Sequence, residues 1–213
     1  HVFFLFCAAV YIGTLWWELK REFREDYLIP LVVVMSMFTF WSYGVNGIRN
    51  GMASSIMILA LTYRNKLPVA IGLAVLALGI HKSMALTVGA AVLAMFIKKP
   101  KLYLIGWFGC ILVSLATGNG IANMLSGSGL IGDDRFSSYM TGFGQDDMFS
   151  STGFRWDFLI YSAIPVAVGA YFIFKRKYTD KFYIWLFNIY LTTNAFWVLV
   201  IRASFSNRFA QIS

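Results

Sequence analysis

The sequence predicts an all-α fold, a polytopic bundle of transmembrane helices, and three observations carry that expectation. Hydrophobic residues make up 59% of the 213 positions and charged residues only 13%, where a soluble domain carries about a quarter charged. Mean hydropathy is +0.67. The apolar residues fall into runs close to the roughly 20 that a helix needs to cross a bilayer, and the breaks between runs are short and basic. The pattern reads as one transmembrane domain over residues 1–213, with about eight spans or half-spans and one long outer loop at 119–156 that carries short helices.

The first span, 2–17, ends in the pair Trp16 and Trp17 ahead of Lys20, Arg21 and Arg24, an aromatic anchor beside an interfacial charge cluster. The second, 28–45, opens with Pro30 near its start, where proline is tolerated. The third, 48–63, is followed by the basic residues Arg64 and Lys66. Spans at 102–118, 157–174 and 183–201 complete the set, with Pro165 alone in mid-span. His1 rather than Met opens the sequence, and an apolar span runs almost to Ser213. That reads as a segment of a longer chain.

Residues 67–97 admit two readings. One long tilted helix would bury His81 and Lys82 halfway. Two short segments, 67–80 and 84–97, would put them at a turn. The positive-inside rule chooses between the two. With two segments, one side collects 12 cations: Lys20, Arg21, Arg24, Arg64, Lys66, Lys98, Lys99, Lys101, Lys175, Arg176, Lys177 and Lys181. The other side holds six: Arg49, Lys82, Arg135, Arg155, Arg202 and Arg208. One helix would split them 9 to 8 and strand Lys82. Two segments are expected, with His81 and Lys82 at or just below the outer surface, facing a wet cavity. The net charge of +8 therefore reads as orientation, not as nucleic-acid binding. Cys7 and Cys110 both lie in apolar runs and suggest neither a metal site nor a disulfide.

The outer cations are five Arg and one Lys, although topology should keep that side poor in them. Arg binds phosphate or carboxylate through a planar fork. In "SSTGFRWDF", Ser151 or Thr152 looks like an N-cap, so Arg155 would fall in a first helical turn. Arg49 in "NGIRNGMA" stands near the start of its own span. A helix dipole disfavours a cation there unless an anion is to be bound. The bland alternative is headgroup snorkelling. His81 reads as a base, a phosphate hydrogen-bond donor or a packed histidine, with Lys82 and Ser83 beside it.

The loop 119–156 is long enough to be functional. Gly127, Gly129 and Gly132 have dinucleotide-fingerprint spacing, but no strand precedes them, so that reading fails. In "DDRFSSYM", Asp133, Asp134, Arg135 and Tyr139 group aromatic and polar side chains suited to sugar rings. With Asp146, Asp147 and Asp157 they include every outer carboxylate, and one of these or His81 could take a proton from an attacking hydroxyl. Loop solvation and helix capping are the ordinary explanation for the Asp pairs. No EF-hand spacing is present.

The succession "GIRNGMASSIMILAL", "LALGIHKSMAL", "DDRFSSYM" and "GFRWDFLIY" resembles the EpsG family of bacterial membrane proteins, related to Wzy-type polysaccharide polymerases. Arg49 with Asn50 matches the family's Arg-plus-amide pair, His81 with Ser83 its His-x-Ser, and Arg135 with Tyr139 its loop motif. Asn stands at position 50 where Gln is the commoner residue. The resemblance implies polymerisation of oligosaccharide repeat units carried on undecaprenyl diphosphate, at the outer face of the bacterial inner membrane. It implies no metal and no cofactor, and a chain-length regulator as a further partner. It places Arg49, Arg135, Arg155 and His81 at the diphosphate, with Lys82, Arg202 and Arg208 as second choices. An O-antigen ligase, a flippase for lipid-linked sugars and a sugar O-acyltransferase are the competing expectations.

Overall fold

A computed structural model describes residues 2–45, 47–118, 120, 124 and 154–202. All regular elements among the described residues are helices, as the composition predicts. They form two compact units, His1–Val88 and Gly89–Ser213. Large apolar side chains such as Phe6, Ile71, Ile105 and Ile160 stand exposed on both units. Exposure of that kind is what lipid, not water, tolerates.

In the first unit, α1 (Val2–Phe23) ends at a turn where Arg24 takes the left-handed φ of 52°. A single 3-10 turn, Arg24–Tyr27, leads into α2 (Leu28–Ser36) and α3 (Phe38–Val45), which run back along α1. Tyr11 stacks on Phe40 with ring centroids 5.3 Å apart, and its hydroxyl donates to the Phe40 carbonyl at 3.2 Å. The expected span 28–45 is therefore broken at Met37, whose ψ is 135°. Backbone groups left without a helical partner are costly in hydrocarbon. Here the Trp41 indole donates to the Met35 carbonyl at 2.8 Å, and the Met37 N–H donates to the Val34 carbonyl at 3.1 Å.

The next helix, α4 (Ile48–Thr62), packs between α1 and α5 (Leu67–Ile80). Thr14 on α1 donates to Ser55 on α4 at 2.7 Å. At one end of the unit Arg64 pairs with Glu22 at 3.2 Å, and the Arg21 guanidinium lies 3.9 Å over the Tyr63 ring. At the opposite end Ile48 and Ile80 pack against the cluster of Tyr11, Phe40 and Tyr43. Arg49 and His81 follow Ile48 and Ile80, so both belong to the end away from the Arg21–Arg64 cluster. His81 adopts an extended conformation (φ −146°, ψ 118°) between α5 and α6 (Met84–Phe96). The two-segment reading of 67–97 is what the structure shows.

The second unit contains α7 (Pro100–Thr117), α8 (Trp156–Ala170) continuing into a π-helical turn at Tyr171–Lys175, and α9 (Lys181–Leu199). Trp107, Leu159, Phe187, Leu191 and Trp197 form its core. The Trp107 indole donates to Asn194 Oδ1 at 2.7 Å. Pro165 sits inside α8, and the Tyr190 hydroxyl donates to the nearby Ser162 carbonyl at 2.7 Å, supplying a donor where proline loosens the helix. Asp180 caps α9 by accepting from the Tyr183 N–H at 2.7 Å. Among the described residues, four helical stretches are long and apolar enough to cross a membrane: Val2–Ser36 (which turns at Arg24), Pro100–Thr117, Trp156–Lys175 and Lys181–Leu199. The shorter α5 and α6 are apolar too.

Candidate functional site

The site in the first unit is built on two glycines. Gly47 and Gly51 lie four apart, on one face of the start of α4. A Cβ on Gly51 would sit 2.9 Å from Tyr43 Cβ, and one on Gly47 would sit 3.1 Å from the Tyr43 ring. Their small size lets α4 begin hard against Tyr43. Asn50 follows Arg49 on this first turn, and its Oδ1 is buried without a partner among the described residues. No side chain caps the start of α4, which leaves its positive end available to an acceptor from outside. Arg49 is the second residue of this helix and is exposed.

His81 reaches the same place from α5. Its backbone N–H closes α5 on the Ala77 carbonyl at 3.0 Å, and its half-buried ring turns back on Ser83. Ser83 Oγ lies 2.5 Å from His81 Nδ1, and the Ser83 backbone N–H donates to the same nitrogen at 3.3 Å. Burial first, and then the Arg49 charge, push the imidazole pKa below its ordinary 6.5. His81 is therefore neutral near pH 7, and Arg49 lies within electrostatic reach of it. Lys82 is exposed beside them.

Arg155 and Arg202 stand at one end of the second unit. Arg155 occupies the N-cap position of α8, not the first turn, and no side chain caps that helix. Its fork is taken by Asp157: Nε donates to Oδ1 at 3.0 Å and Nη2 to Oδ2 at 2.7 Å. The guanidinium also lies 4.1 Å over the Phe158 ring. Arg202 lies 5.6 Å over the Phe154 ring, and its Nε is buried without a partner among the described residues. Each cation keeps an aromatic face under it.

The structure thus places Arg49 within electrostatic reach of His81, whose ring is bonded to Ser83, with Asn50 next to Arg49 in sequence; separately, Arg155 pairs with Asp157 and Arg202 lies over Phe154. Asp133, Asp134, Arg135, Tyr139 and Arg208 lie outside the described residues, as do Ser151, Thr152, Asp146 and Asp147. Tyr43 was missed from sequence. The signal that points to it is the spacing of Gly47 and Gly51, which requires a bulky neighbour at close approach. Along α1 and α4 runs a shallow apolar groove of about 470 Å³, lined by Ala9, Val10, Gly13, Trp16, Trp17 and Leu59 with the polar Thr14. Its walls suit a hydrocarbon chain. Among the described residues no three His, Cys, Asp or Glu side chains are grouped to hold a metal ion.

No curated protein and no solved structure matches the chain. The family model of EpsG matches residues 1–212, nearly the whole length, and the fold is the helical membrane bundle that the resemblance implies. The chain belongs to the EpsG family, a family of polysaccharide polymerases.

Proposed function

We propose that this protein joins oligosaccharide repeat units carried on undecaprenyl diphosphate into a longer polysaccharide, at the outer face of the bacterial inner membrane. The acceptor hydroxyl oxygen forms a bond to the donor's anomeric carbon. The bond from that carbon to the diphosphate breaks, the diphosphate leaves with the electron pair, and the hydroxyl proton passes to a base.

One observation carries this reading. Arg49 stands on the uncapped start of α4, within electrostatic reach of His81, at the end of the first unit opposite Arg21 and Arg64. A helix N-terminus with an arginine on it stabilises the negative charge that gathers on a leaving diphosphate. Arg155 and Arg202, with Phe154 and Phe158, form a second cationic and aromatic surface suited to a phosphate next to a sugar ring. Arg135, Asp133, Asp134, Tyr139, Lys82 and Arg208 complete the proposed substrate contacts. The bilayer holds the prenyl tail, and a chain-length regulator is the further proposed partner.

Polymer length in cells that depend on the full-length protein tests the reading. At matched membrane expression, Arg49→Ala and His81→Ala should leave single lipid-linked repeat units and no ladder. A normal ladder in both would remove the site. Loss of all surface glycan, with lipid-linked units held at the inner face, would indicate transport instead.

A further inference from the structure

His81 has two possible parts in such a site, and its hydrogen bonds separate them. A backbone N–H can only donate. The Ser83 N–H points at His81 Nδ1 from 3.3 Å, so that nitrogen has to accept. Were Nδ1 protonated, two hydrogens would face each other. The Ser83 hydroxyl, 2.5 Å away, then donates to Nδ1 as well. A neutral imidazole carries one proton, and which nitrogen holds it is set by the bond made at the other. With Nδ1 accepting twice, the proton sits on Nε2. The bland account of the same geometry is a local turn that happens to use a histidine. It does not explain why a half-buried imidazole is kept within reach of the Arg49 charge.

We infer that Ser83 is a positioning residue that locks His81 as the Nε2–H tautomer, so that His81 gives a hydrogen bond to the leaving diphosphate and is not the base for the acceptor hydroxyl. The inference rests on the polymerase reading for the ligand, but not for the tautomer. Arg49 on α4 is the charged group that favours a neutral donor over an imidazolium; Lys82, next in sequence, is exposed. The proton of the attacking hydroxyl then goes to a carboxylate.

The chain has only two histidines, His1 and His81. Nitrogen-15 NMR of histidine-labelled full-length protein in lipid nanodiscs, with the His81 signals assigned as those lost in His81→Gln, reads the tautomer directly. The expected result is a protonated-type Nε2 and an unprotonated-type Nδ1, with partial loss of that preference in Ser83→Ala. A protonated Nδ1 would overturn the inference whatever the enzyme does. The second arm is polymer synthesis by His81→Gln and His81→Asn. Gln puts an amide N–H where Nε2 stands, and Asn puts one where Nδ1 stands. Gln should stay within about tenfold of wild type, the scale of one rebuilt hydrogen bond. Asn should fall as far as His81→Ala. If His81 were the base, Gln would lose about 10²–10⁴-fold like the others, and the inference would fail. If His81→Ala polymerises normally, the proposed site falls, and with it the donor role; the tautomer is still decided by the spectrum.

Discussion

Gly51 and Tyr43 approach so closely that a single methyl group at position 51 would meet Tyr43 Cβ at 2.9 Å and the Tyr43 carbonyl at 3.2 Å. One of those atoms is backbone, so the neighbour cannot simply rotate away. Gly51→Ala should therefore lower stability by about 1–3 kcal/mol, the usual range for overpacking. It should also displace Arg49 and Asn50, which sit one turn from the contact. Gly13→Ala is the control. A Cβ there meets nothing within 4 Å, and alanine is the better helix former by about 1 kcal/mol. Thermal unfolding in detergent should show a fall for the first variant and no fall for the second. Equal behaviour would mean that the start of α4 is not packed as described.

Trp107 and Asn194 link α7 to α9 by a buried side-chain hydrogen bond of 2.7 Å. Hydrogen bonds between membrane helices are worth about 0.6 kcal/mol on average and up to about 1.7 kcal/mol in mutant cycles. Trp107→Phe, Asn194→Leu and the double variant should show a coupling energy in that range, positive in sign. Asn194→Leu alone should cost more than the coupling, because it leaves the indole N–H buried without an acceptor. Zero coupling would mean that the two helices are held by packing alone.

The helices were legible because hydrocarbon tolerates few alternatives: apolar runs between basic loops read directly as spans, and the cation count decided the 67–97 hairpin. The break at Met37 was not legible. "LIPLVVVMSMFTFW" is apolar throughout, with no Gly and with Pro only at its start. The break exists because Trp41 can satisfy the Met35 carbonyl, which is a tertiary fact. The cap of α8 was misread for a similar reason: Ser151 and Thr152 are good capping types, but α8 begins at Trp156, beyond their reach. Arg49 and His81 were legible as odd charges in apolar sequence. Their meeting was half legible, since helix α4 and the 67–80 segment had to run antiparallel. Tyr43 was not, because a tyrosine near a membrane interface is ordinary.

Asp157 is expected to hold Arg155 in place without acting as a base. Both carboxylate oxygens are engaged by the guanidinium, but the pair is open to solvent, with 29% and 61% of the two side chains exposed. Pairs of that kind contribute under about 1 kcal/mol. Asp157→Asn should leave unfolding nearly unchanged and should keep the polymer ladder, since it frees the Arg155 fork for phosphate. Arg155→Ala should shorten the ladder. Loss of polymer in Asp157→Asn at matched expression would return Asp157 to the list of bases.

The acid limb of polymer synthesis should report His81, because a proton on Nδ1 breaks the bonds from Ser83 that hold the ring in position. Burial, and after it the Arg49 charge, hold its pKa below 6.5 in the folded protein. The unfolded chain therefore binds the proton more readily than the folded one. By linkage, stability is flat above about pH 6.5 and declines as pH falls from there toward the depressed folded value. Activity follows the folded value: a neutral ring across the physiological range, with loss only below 6.5. Arg49→Gln removes one of the two causes while burial remains. The acid limb should then move up toward the ordinary histidine value without passing it, and the total rate should fall because a diphosphate contact is lost. Lys82→Gln, at an exposed side chain for which no comparable influence on His81 is found, should move the limb less. An acid limb that stays in place in Arg49→Gln would mean that Arg49 and His81 do not share one site.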